Sequence, residues 1–141
     1  MSSFKAQCRC GQLQLHFSQP PAAQLVCHCT DCRAANGTPS TAVAFFKVEP
    51  GYRTGEATGH DMVGGSGKPK TYYQCPNCGG GVFGLVQVLP GLVGVVADRL
   101  QQPFAFKPMA HVWTSEKSPE VDIPAGAMQF PQAPAFRPGK A

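Results

Sequence analysis

Cys8-Arg9-Cys10-Gly11-Gln12-Leu13-Gln14-Leu15-His16-Phe17 carries two signals side by side. A pair of thiols closes on a glycine, and an alternating polar and apolar run follows. Alternation with a period of two marks a strand with one face buried. A glycine at the end of a short cysteine turn supplies the positive φ that lets the chain double back. The same order returns further on, where Cys75-Pro76-Asn77-Cys78-Gly79 precedes an apolar stretch beginning at Val82. Two turn-then-strand units of this kind can face each other across one metal ion.

Working outward, the other segments also read as strands. Residues 41–48 are rich in β-branched and aromatic side chains, and residues 70–75 carry Tyr72-Tyr73 straight into the second cysteine turn. Residues 82–89 and 92–97 flank Pro90-Gly91, a turn signal, and are expected to pair as a hairpin. Residues 110–114 supply one more short strand. No segment shows a long 3.6-residue period. The one helix expected covers residues 30–35 and stops at Asn36-Gly37. Gly64-Gly65-Ser66-Gly67-Lys68-Pro69 is a loop. It is not a phosphate loop, because its first glycine is misplaced and Pro69 stands where Ser or Thr is needed. From Ser115 onward the Pro-rich chain is expected to pack as coil over the body. The fold class expected is all-β (mainly β), with a single domain over residues 1–131 and a flexible tail over 132–141.

Composition agrees with short elements joined by turns. Of 141 residues, 16 are Gly and 14 are Pro, and 43% are hydrophobic, enough for a core. Charged residues are 14%, below the usual quarter. No run approaches the roughly 18 apolar residues of a membrane span. Met1-Ser2-Ser3-Phe4-Lys5 lacks the apolar stretch of a secretory signal. The expectation is a cytoplasmic protein with no membrane partner, in a reducing compartment where disulfides rarely persist.

All seven cysteines fall into three clusters: Cys8 and Cys10; Cys27, Cys29 and Cys32; Cys75 and Cys78. An odd number leaves a thiol over in any disulfide framework. Thiols two or three residues apart on glycine-ended turns instead converge readily on one ion. Zinc suits such a set, and the bacterial iron–sulfur spacing is absent. Seven ligands divide as four and three, giving two Zn2+ per chain. Pairing Cys8 and Cys10 with Cys75 and Cys78 closes a tetrahedral structural site and ties the start of the chain to its middle. Cys27, Cys29 and Cys32 hold one face of a second ion and leave a fourth position. An open fourth position marks a catalytic zinc; filling by His28, His111 or another side chain would make it inert. His28 lies between two ligands, so its side chain is expected to point away from their ion, as a pocket or supporting residue. Arg33 could take a substrate carboxylate bidentately. The catalytic candidates are therefore Cys27, Cys29, Cys32, His28 and Arg33. Two zinc ions and seven thiolates would bring the formal charge of +4 down to +1. With no cluster of Lys and Arg, this argues against a nucleic-acid surface.

The set Cys8-x-Cys10-Gly11, Cys27-His28-Cys29-x-x-Cys32-Arg33 and Cys75-x-x-Cys78-Gly79 resembles the glutathione-dependent formaldehyde-activating enzyme family, which includes centromere protein V. Ala97-Asp98-Arg99-Leu100-Gln101-Gln102-Pro103 is similar to a downstream segment of that family, as are His111, Lys117 and Pro119. Asp98, Gln101, Gln102 and Glu120 depart from the family pattern and are expected to bear on the substrate. The resemblance implies a β-tent fold of small antiparallel sheets around zinc, and the same four-plus-three division. It implies a carbon–sulfur lyase activity run in reverse, joining a small-molecule thiol, glutathione, to formaldehyde as S-hydroxymethylglutathione. Two rival readings share the sequence: a non-enzymatic, zinc-scaffolded protein-binding module, and a redox-responsive zinc switch.

Overall fold

The structure is a computed structural model that describes residues 3–63, 67, 69–87 and 89–132. The tail expected beyond residue 132, and most of the loop at 64–69, lie outside the described residues. Ten strands and one α-helix alternate along the chain: β1 (Phe4–Gln7), β2 (Gln14–Phe17), β3 (Ala23–Cys27), α1 (Thr30–Asn36), β4 (Thr41–Lys47), β5 (Arg53–Thr54), β6 (Thr58–Val63), β7 (Pro69–Gln74), β8 (Gly81–Val86), β9 (Leu92–Val96) and β10 (Ala110–Val112). Short 3-10 turns follow β9 at Ala97–Arg99 and β10 at Thr114–Glu116.

The all-β expectation holds. The strands form a three-stranded sheet, β1-β2-β5, and a seven-stranded sheet, β10-β3-β4-β9-β8-β7-β6. The larger sheet is thus wider than the small sheets expected, and its β10–β3 edge pair is parallel. The expected hairpin is present, with β8 pairing β9 through Phe83↔Val95 and Gly84↔Gly94.

Strand β4 shows how the layers are arranged. Its side chains alternate between two cores. Ala44 and Phe46 join Leu13, Leu15 and Phe17 of the small-sheet side, while Phe45 joins Ala23, Leu25 and Val112. A strand covered on both faces reads as a continuous apolar run, as residues 41–46 do. Phe17 stacks on Phe46 with centroids 4.5 Å apart, which fastens the small sheet onto the large one. Phe46 is fully buried. Cys8 and Cys75 belong to this same apolar cluster.

The coil after β10 packs as expected. His111 donates its N–H to Met128 O, and Phe130 returns a bond to His111 O, both at 2.9 Å. Helix α1 ends on Gly37 in the left-handed region (φ 66°), whose N–H bonds Arg33 O. Among the described residues, no helix is long and apolar enough to cross a membrane.

Candidate metal centres and the cavity beside the second cluster

The two cysteine turns do face each other. In the first, the Gly11 N–H closes on Cys8 O (3.1 Å) with Gly11 at φ 82°. In the second, the Gly79 N–H closes on Cys75 O (2.8 Å) with Gly79 at φ 73°. The β7–β8 ladder shifts register at Tyr73/Gln74, just before this turn, as a bulge does where a strand must re-aim its end. The Sγ atoms of Cys8, Cys10, Cys75 and Cys78 all lie within 4.8 Å of one another. Cys8 and Cys10 are 3.5 Å apart, and Cys10 and Cys75 are 3.7 Å apart. Thiolates about 2.3 Å from a tetrahedral zinc sit about 3.8 Å from each other, so the donor set fits that ion. No disulfide joins these cysteines.

Donors surround these four sulfurs. The N–H of Leu13 points at Cys8 Sγ (3.4 Å), and those of Asn77 and Cys78 point at Cys75 Sγ (3.3 and 3.5 Å). Asn77 Nδ2 reaches Cys10 Sγ, and Gln12 Nε2 reaches Cys75 Sγ, both at 3.3 Å. Backbone N–H groups of Gly80 and Cys10 hold the Cys78 thiol down at about 6. Gln12 also bonds Glu56 N and O, each at 2.8 Å. Gly55 (φ 90°) lies so close to the Gln12 carbonyl that any Cβ there would overlap it.

The second cluster sits where β3 turns into α1. Cys27 ends the strand, Cys29 is the helix N-cap, and Cys32 lies in the first turn. Cys29 Sγ accepts the N–H of Cys32 (3.2 Å) and the thiol of Cys27 (3.3 Å). Hydrogen bonds from Cys27 and Cys32 pull Cys29 down to about 2, while the same bond to Cys29 pushes Cys27 up. One negative charge is thus held easily among three thiols. These sulfurs also lie within 4.8 Å of one another and could hold a metal ion.

Unlike the first cluster, this one forms part of the wall of a cavity of about 530 Å³. Tyr72 and Lys70, on one face of β7, lie beside it. The Tyr72 hydroxyl is 3.0 Å from Cys32 Sγ, and Lys70 Nζ lies 5.3 Å from the centre of the Tyr72 ring. Lys70 is also 3.0 Å from Asp31. Burial opposes its charge, but the bond to Asp31 and the nearby thiolates raise its pKa. Burial, then the charge at Cys32, raises the Tyr72 phenol. The sequence reading missed Tyr72, Lys70 and Asp31. The period of two along residues 70–74 puts Lys70 and Tyr72 on one face, but only the sheet pairing shows what that face meets.

His28 and Arg33, also expected at the site, do not line the cavity. His28 is wholly buried; its Nε2 lies 2.9 Å from His111 Nδ1, and the two rings stack. Burial holds both imidazoles below the ordinary value, with His111 adding to the effect on His28. Arg33 Nη2 donates to Glu116 O (2.7 Å) and Thr30 Oγ1 (3.4 Å), and Glu116 Oε1 accepts the N–H of Thr30 (2.7 Å). These bonds latch the start of α1 to the 3-10 turn after β10. Asp98, Gln101, Gln102 and Glu120 stand away from the cavity wall as well. The parallel β10–β3 pair places Trp113 on that wall, in a left-handed conformation (φ 57°) that is unusual for a bulky residue.

No curated protein matches the chain. The family pattern described as glutathione-dependent formaldehyde-activating enzyme matches residues 3–116, through all three cysteine clusters, β10 and the turn that carries Glu116. With both cysteine groups gathered in space as that sequence order requires, the chain belongs to the glutathione-dependent formaldehyde-activating enzyme family.

Proposed function

We propose that this protein is a zinc-dependent carbon–sulfur lyase that joins a small thiol to an aldehyde, with glutathione and formaldehyde as the family pair. The observation that carries this reading is the unequal setting of two like clusters: donors from the backbone and from Gln12 and Asn77 close around four thiols, whereas three thiols form part of a cavity wall. Cys8, Cys10, Cys75 and Cys78 would hold a structural zinc. Cys27, Cys29 and Cys32 would hold a catalytic one with an open position. When bound there, zinc supplies a site at which an incoming thiol is ionised at neutral pH.

The chain's own residues account for the rest. The carbon–sulfur bond forms as the thiol sulfur adds to the aldehyde carbon; the carbonyl π pair moves to oxygen, which receives the proton lost by the thiol. Tyr72 shares a hydrogen bond with Cys32 and helps to orient that sulfur. Lys70, held by Asp31, places a positive charge next to the electron-rich cluster. His28 and Arg33 brace the cluster from behind, His28 through His111 and Arg33 through Glu116. Protein purified under reducing conditions should carry two zinc ions per chain by native mass spectrometry and take up a glutathione adduct. It should also speed exchange between free and hydroxymethylated glutathione in two-dimensional NMR. One zinc per chain, or two with no adduct at millimolar thiol and no exchange, would sink the proposal.

A further inference from the structure

We infer that, besides formaldehyde, the site takes a medium-chain or aromatic aldehyde with an apolar body and prefers it. This rests on the proposal that the three-thiol cluster adds thiols to aldehydes, and it concerns what lies beyond the reacting carbon. Formaldehyde has no hydrocarbon to bury, whereas about 530 Å³ of space opens beside the cluster. Its walls are built from Leu25, Val43, Phe45, Val86, Val96 and Val112. Side chains of this kind select by burying CH₂ groups.

The charges point the same way. Besides the thiols, the described lining residues that can carry charge near neutrality are Asp31, Lys70 and His60. Asp31 and Lys70 neutralise each other at 3.0 Å. Among the described residues, neighbouring cations are engaged elsewhere: Arg33 on Glu116 O, Arg99 on Gly81 O (3.0 Å), and Lys117 on Ser118 O and Val121 O. Polar side chains such as Asn36, Thr41 and Gln74 also line the cavity but carry no charge, so it suits a hydrocarbon chain better than a carboxylate. The reaction is R–SH + R′–CHO giving R–S–CH(OH)–R′. A C–S bond forms, the C=O becomes C–OH, and the thiol proton ends on that oxygen. R′ occupies the cavity, and the charged ends of the thiol stay at its mouth.

The test uses the zinc-loaded full chain. Catalysed adduct formation with glutathione is measured for formaldehyde, propanal and hexanal, each corrected for the uncatalysed rate. In parallel, methanol and 1-hexanol serve as unreactive probes read by tryptophan emission. The chain has a single tryptophan, Trp113, and it lines the cavity. Catalytic efficiency should rise about fourfold per added methylene, and hexanol, not methanol, should shift the emission. Met62 lies half-buried on the cavity wall in edge strand β6, so Met62→Lys should lower the hexanal-to-formaldehyde ratio by about tenfold while Met62→Leu preserves it. If Met62→Lys does not fold, the near-isosteric Val43→Thr provides the same comparison. A series that is flat or falls with chain length, with hexanol silent, overturns the inference and leaves the lyase reading standing. Hexanol binding with no aldehyde accelerated upholds the apolar specificity and overturns the lyase reading.

Discussion

The two cysteine clusters use one chemistry in two settings. Around Cys8, Cys10, Cys75 and Cys78, backbone and amide N–H groups converge on the sulfurs, and two of the four are members of the largest apolar core. Around Cys27, Cys29 and Cys32, the neighbours are a phenol, an ammonium–carboxylate pair and an apolar void. Fixed donors hold the four sulfurs in place, with Cys8 and Cys75 buried and Cys10 exposed at the surface. Thiolates facing a cavity, with a hydroxyl and a cation beside them, remain accessible to a ligand. On the proposed division into a centre that holds the fold and one that reacts, the surroundings differ as much as the ligand count.

The largest effect should come from Cys75→Ser. It removes a ligand that joins strands 65 residues apart in sequence and lies wholly within the core. Structural zinc centres are worth on the order of 10 kcal/mol of folding free energy, so cooperative thermal unfolding should vanish. Cys29→Ser should keep a cooperative transition, lose one zinc per chain and abolish turnover; global unfolding of that variant would make both clusters structural and erase the contrast drawn above. Next in size is Gly55→Ala. It forces a Cβ into the Gln12 carbonyl at a positive φ and displaces the amide that bonds Cys75. A loss of about 2 kcal/mol in chemical denaturation is expected, with the affinity of the four-thiol centre weakened and the three-thiol centre unchanged.

Tyr72→Phe tests the reactive side. It deletes one hydrogen bond to Cys32 and leaves the ring in place. Turnover should fall about tenfold while stability changes by no more than about 1 kcal/mol. Equal losses in both would return Tyr72 to a packing role. The smallest effect concerns pH. His28 and His111 titrate below the ordinary 6.5 because they are buried. The unfolded chain therefore takes up protons first as pH falls. Their contribution is complete above pH 6.5 and is lost as the pH drops through and below that value. His111→Gln should flatten the fall in Tm between pH 7.5 and 5.5 relative to the parent, whereas an unchanged slope would place the acid sensitivity in the thiols.

Much of this was legible in local sequence. Residues 12–17, 41–48 and the 82–97 hairpin carry their period or their apolar run on the surface of the text, and Asn36-Gly37 ends α1 as written. The cysteine spacing was enough to divide the thiols into the two groups that the fold gathers. Strand β6 was not legible because it is an exposed edge, with a glycine and an aspartate among its six residues. Strand β3 sits between β4 and β10 with no clean alternation, and it bears Cys27. The cavity could not be read at all, because its walls come from seven strands brought into one sheet by the distant β4–β9 and β10–β3 pairings. His28 and Arg33 stood next to the ligands in sequence, yet the turn into α1 sends them to the back of the cluster.

The pairing of Cys10 with Cys75 across 65 residues also has a temporal side. A chain made from its N-terminus releases Cys8 and Cys10 first, yet they wait for the second turn before their set is complete. Cys27, Cys29 and Cys32 emerge together and need no later residue to assemble. During synthesis the three-thiol set has therefore emerged in full while the four-thiol set is still half a set. The nascent protein passes through an interval in which Cys27, Cys29 and Cys32 are all present but β7 and β8, which wall their cavity, are not yet made.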